Sequence, residues 1–214
     1  MSTTFDVYPG NTSIPSFLSL KVLTELKLHG YFEQHGVAFD PQIDVRLISS
    51  DNREIHHVNL DDPFWWSENY YAWFTLNGVE GGTDAHILPL DEQWARELRS
   101  DWLCDHPQLE QTPELEQVYT TAQLLKRSWY FRRSIGQPAA INVLYGFLAS
   151  ALAELTEGVV DSNDGAWDFA RFPALPQEFD RWYMNPQEAL DSSSASWASA
   201  CLTALSPTLP NHLQ

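Results

Sequence analysis

"PAAINVLYGFLASALAELTEG", Pro138 to Gly158, is the stretch around which the rest of the chain must be arranged. Ile141, Leu144, Leu148, Leu152 and Leu155 recur at helical spacing, and Val143, Phe147 and Ala151 widen the stripe. Pro138 suits a helix start, and Gly158 reads as a glycine C-cap. A helix this apolar needs cover on most of its sides, so it predicts a central helix. It does not predict a membrane span, because Ala139–Ala153 contains Asn142 and falls short of the roughly 20 residues a bilayer requires.

Alternating segments lie before and after this helix. "FDVYPG" predicts a first strand broken at Pro9-Gly10, and "QIDVRLISS" and "REIHHVNL", joined by "SDN", predict a hairpin. "NYYAWFTLNG" predicts a further strand with large side chains on both faces. "SFLSLKVLTELKLHGYF" predicts a helix that Gly30 interrupts. Trp94, Leu98 and Trp102 mark an amphipathic helix, and Thr112-Pro113 marks the start of another, with Leu115, Val118, Tyr119, Ala122 and Leu125 inward. "SWYFRRS" reads as a strand. "PQEFDRWYMNP" reads as a short helix, and "DSSSASWASACLTAL" as a last one with Trp197, Cys201 and Leu205 inward. There is no βαβ repeat and no glycine-rich phosphate loop. The expected fold is α+β, one domain over residues 1–206, with a mostly antiparallel sheet covered by helices and a tail at 207–214.

Composition narrows the function classes. Twelve basic against 29 acidic residues give a formal charge of −17, which disfavours nucleic acid and anionic lipid and favours basic partners. Nine tryptophans, eight tyrosines and eleven phenylalanines exceed what one core needs, so some are expected at the surface. Cys104 and Cys201 form no C-x-x-C pair, and the first residues lack the pattern of a signal peptide. The expectation is a cytoplasmic protein with two free thiols and no cofactor.

"VVDSNDGAWDFARFP", Val159 to Pro173, carries the densest acidic cluster. Read as a calcium loop from Asp161, it puts Gly165 where an oxygen ligand belongs, Ala166 at the invariant glycine and Phe172 at the final glutamate, so the spacing fails. Asn163-Asp164-Gly165 instead suits a chain reversal, with Trp167 anchoring it to the fold. Carboxylates this close can also serve acid–base chemistry. A small metal-assisted hydrolase using Asp161, Asp164, Asp168 or the pair Asp84/His86 is therefore one alternative, and an acidic scaffold or adaptor is another. "LDDPFWWSENYYAWF" mixes aromatic anchors with acids, the composition of a protein-binding surface. The expected partner-binding residues are Asp61, Asp62, Trp65, Trp66, Glu68, Asp161, Asp164 and Asp168.

The stretch from "GQP" through "ALAELTEG", "DSNDGAWD" and "EFDRWY", with the N-terminal "FDVYPG", resembles bacterial immunity proteins of polymorphic toxin systems. Within them it is similar to the immunity protein 52 family, encoded beside toxins of restriction-endonuclease fold. The resemblance implies a cytoplasmic inhibitor that binds a secreted toxin, such as a DNase, and brings no catalytic residues with it. A nuclease groove is basic, so an acidic, aromatic surface is suited to occupy it.

Overall fold

The computed structural model describes residues 2–105 and 113–205. Seven strands, β1 (Thr3–Tyr8), β2 (Ile43–Ser49), β3 (Ile55–His57), β4 (Tyr70–Leu76), β5 (Thr83–Pro89), β6 (Arg127–Arg133) and β7 (Val159–Asp161), join one sheet in the order β3-β2-β4-β5-β6-β1-β7. Every pairing is antiparallel. Among the described residues six α-helices accompany it: α1 (Phe17–Gln34), α2 (Glu92–Asp105), α3 (Pro113–Leu125), α4 (Ala139–Leu155), α5 (Pro176–Trp182) and α6 (Ser192–Leu205). The fold is α+β, with the antiparallel sheet and helical cover expected from the pattern. The Thr112 cap and the 207–214 tail lie outside the described residues.

α4 is the central helix. Every residue from Ala140 to Ala153 is buried, because α1, α5 and α6 surround it and its remaining side lies on the sheet. Burial on that scale contributes about 1.5–3 kcal/mol per large side chain. Two glycines permit close approaches. A Cβ on Gly146 would meet the Tyr183 ring at 2.1 Å, and one on Gly158 would meet the Tyr8 carbonyl oxygen at 2.1 Å. Gly158 is thus needed for its closeness to β1 rather than as the left-handed C-cap. Glu157 takes that conformation at φ 51, and the N–H groups of Glu157 and Gly158 close the helix onto the carbonyls of Glu154 and Ala153.

α1 runs unbroken through Gly30, capped by the Ser16 hydroxyl, which accepts from the Ser19 N–H. The two faces of the sheet are treated differently. Phe5, Val45, Phe74, Ala85, Trp129 and Phe131 point into the main core beneath α1 and α4. On the opposite face a smaller cluster joins Tyr8 and Val159 to Leu98 and Trp102 of α2 and to Leu115, Val118 and Ala122 of α3. Trp94, expected inward with Leu98 and Trp102, has a side chain outside the described residues.

Candidate functional site: the open face of the sheet

Alternation along each strand decides what the second face displays. The antiparallel register aligns Arg46, Trp73, Asp84, Arg132 and Thr4 in one row across β2, β4, β5, β6 and β1. A neighbouring row carries Ile48 and Tyr71, His86 and Tyr130, then Asp6 and Asp161. Three rings of that row stack: His86 lies 4.6 Å from Tyr130 at 5°, and 5.5 Å from Tyr71 at 20°. Trp73 lies against the β5 entrance, where a Cβ on Gly82 would meet its ring at 2.6 Å.

Asp84 is the polar centre of this face. It is buried, yet its Oδ2 accepts from His86 Nε2 at 2.7 Å and pairs with Arg132 at 2.6 Å. Burial pushes its carboxyl up, but the bonds to His86 and Arg132 and the Arg132 charge outweigh that and hold it below the ordinary range. The expected sharing of one strand face by Asp84 and His86 is met. Their lone pairs and protons are turned towards each other and Arg132, which orients the His86 ring between the two tyrosines.

The acidic turn sits at the β1–β7 edge of the same face. Asp6 faces Tyr130 on one side and Asp161 on the other. Burial, then the charges of Asp161 and Asp164, push its carboxyl up to about 7, and no donor among the described residues offsets this. Asp161 is half-buried and accepts from the Trp102 indole N–H at 2.8 Å and from its neighbour Ser162 N–H at 2.9 Å. Asp164 is exposed but structural: it accepts from the Thr4 N–H at 2.7 Å and the Thr4 hydroxyl at 2.9 Å, tying the turn to β1 across 160 residues. The reversal itself is as expected, with Gly165 at φ +79.

Asp168 corrects the sequence reading. It is 4% exposed and accepts from the backbone N–H of Leu190 at 2.7 Å and of Asp191 at 3.4 Å, with Arg171 at 3.5 Å. It holds the approach to α6 and is not presented to a partner. Burial pushes its carboxyl up, as does a hydrogen bond with the exposed Asp191. Trp167 anchors the turn as expected, packed on Tyr183 and Trp197, although its indole N–H finds no partner among the described residues.

The second expected cluster lies elsewhere. Asp61, Asp62 and Glu68 are exposed, and Trp65 is 41% exposed with the Arg127 guanidinium 4.6 Å over its ring. Trp66 is a correction: it is 7% exposed, packs on Phe17 and Phe64 and donates to the Tyr70 carbonyl at 2.9 Å. The burial follows from the chain path, since Phe64 and Trp66 turn inward while Trp65 between them turns out. Trp65 sits by Arg127, at one end of β6, whereas Asp164 reaches Thr4, which lies opposite Arg132 near the other end. The structure therefore does not gather the eight residues into one site.

Sequence reasoning placed Tyr71 and Trp73 in an aromatic-acidic segment but missed Asp6, Tyr130 and Arg132, and missed that all five share one surface. The available signal was alternation: Thr4 and Asp6, Tyr71 and Trp73, Tyr130 and Arg132 each lie two apart in their strands and so share the face turned away from the main core. Among the described residues no three His, Cys, Asp or Glu side chains converge as metal ligands, and no helix is long and apolar enough to cross a membrane. No family model, curated protein or solved structure matches the chain.

Proposed function

We propose that this protein is an inhibitor of the immunity type, which neutralises a cognate bacterial toxin in the cytoplasm by binding it. The observation that supports this most is the second sheet face, where the half-exposed Tyr71–His86–Tyr130 stack leads to the Asp6–Asp161 edge that Trp102 of α2 contacts. Aromatic rings held by stacking offer large contact area with little entropy left to lose, the usual make-up of binding hot spots. The net charge of −17 steers a basic surface such as a nuclease groove towards them. Asp84, His86 and Arg132 satisfy one another, so on this reading they brace the rings rather than perform chemistry.

The test is co-expression with the neighbouring reading frame, followed by co-purification. A stable complex is expected. Tyr71→Ala combined with Tyr130→Ala should weaken it by about 2–4 kcal/mol, the range of buried aromatic anchors. A complex unchanged by that pair in folded protein places the interface elsewhere.

A further inference from the structure

α1 covers the core with one side and leaves another apolar line in water. Leu18, Val22 and Leu26 are 39%, 54% and 66% exposed. Their spacing of four stacks them on one helical face. Scattered exposed leucines are ordinary, but an aligned set is a patch that implies cover.

The charges around the line say what that cover is. At its N-terminal end the Leu18 N–H donates to the Leu60 carbonyl at 2.7 Å and the Phe17 N–H to the Asp62 carbonyl at 3.1 Å, which brings the exposed Asp61 and Asp62 beside it. At its C-terminal end stands exposed Glu33, seven residues beyond Leu26. The two lysines of α1 do not offset these acids. Lys21 pairs with Glu25, and Lys27 with both Glu154 and Asp180. The patch is thus an apolar line with acids at both ends.

We propose that the Leu18–Val22–Leu26 face of α1 docks an amphipathic helix with basic flanks, supplied by a different protein. A second copy of the chain would set acidic ends against acidic ends in either orientation. A membrane-lying helix needs basic residues beside its apolar face to meet anionic lipid, and this one has the opposite rim. The proposal does not rest on the open sheet face, which lies on the other side of the sheet from α1.

The probe is a synthetic helical peptide with a leucine face and lysine flanks, titrated by fluorescence anisotropy. Val22→Gln with Leu26→Gln changes two exposed positions and uses good helix formers, and circular dichroism checks that the fold persists. Binding to the unaltered chain, weakened at least tenfold by the glutamine pair and several-fold by Asp61→Asn with Asp62→Asn, is the expected result. No binding overturns the proposal. Binding untouched by the glutamine pair also overturns it, because charge alone then holds the peptide. So does a concentration-dependent dimer in sedimentation equilibrium, or adsorption to phosphatidylcholine vesicles, that the glutamine pair abolishes. Toxin rescue that survives the glutamine pair leaves the inhibitor reading intact while the peptide titration decides this one.

Discussion

Replacing Asp6 by asparagine should stabilise the protein above neutral pH and leave it unchanged near pH 4. Asp6 sits between Tyr130 and Asp161 on the open face, with Asp164 adding a second like charge and Tyr8 next in its own strand. Burial and those carboxylates raise its pKa from 3.8 to about 7. The folded state therefore binds this proton more tightly than the unfolded chain. Below pH 3.8 the group costs nothing; as pH climbs to about 7 the stability it permitted is progressively lost, and above that the loss is complete. At about 1.4 kcal/mol for each tenfold step, the full loss is at most about 4 kcal/mol. Asp6 retains some contact with water, which screens the repulsion and reduces the working figure to about 1–3 kcal/mol. Asparagine keeps the shape and removes the charge. Urea unfolding at pH 4, 6 and 8 should show the variant gaining on the unaltered chain only as pH rises. Equal stability at pH 8, or a gain that is the same at every pH, refutes the reasoning.

Leu148, buried at the middle of α4, should cost about 2–5 kcal/mol when changed to alanine, through the cavity it leaves; denaturant midpoints measure this, and partner binding by the folded variant should be unaffected. Asp168→Ala removes the acceptor for two backbone N–H groups and the carboxylate beside Arg171. It should destabilise by about 1–3 kcal/mol, read as a lowered thermal midpoint. Association with the partner should slow steeply with salt while dissociation changes little, as screening shrinks the Debye length from roughly 30 Å at 0.01 M to a few ångströms; stopped-flow mixing at several ionic strengths checks it.

The architecture was legible because its signals are local. Period-two segments became strands, and the stripe from Ile141 to Leu155 became the central helix. Pro113 starts α3 as its position suggests. What stayed hidden depends on distant partners. Nothing near Trp66 distinguishes it from Trp65, because Phe17 and Phe64 decide which ring is covered. Asp168 looks like Asp161 in sequence, yet it is buried against backbone 22 residues downstream. Asp164 was expected in a reversal and at a partner surface, and no local signal shows that its carboxylate also holds Thr4, 160 residues away. The open face could not be read from any one strand, since it exists only where β4, β5, β6 and β1 are set side by side.

The most direct test of the inhibitor reading is a rescue assay in a bacterial host. The neighbouring reading frame is expressed alone, with the unaltered chain, and with the folded Tyr71→Ala/Tyr130→Ala variant. The account predicts that the neighbour alone stops growth, that the unaltered chain restores it, and that the variant does not. A harmless neighbour, or growth restored equally by the variant, would contradict it.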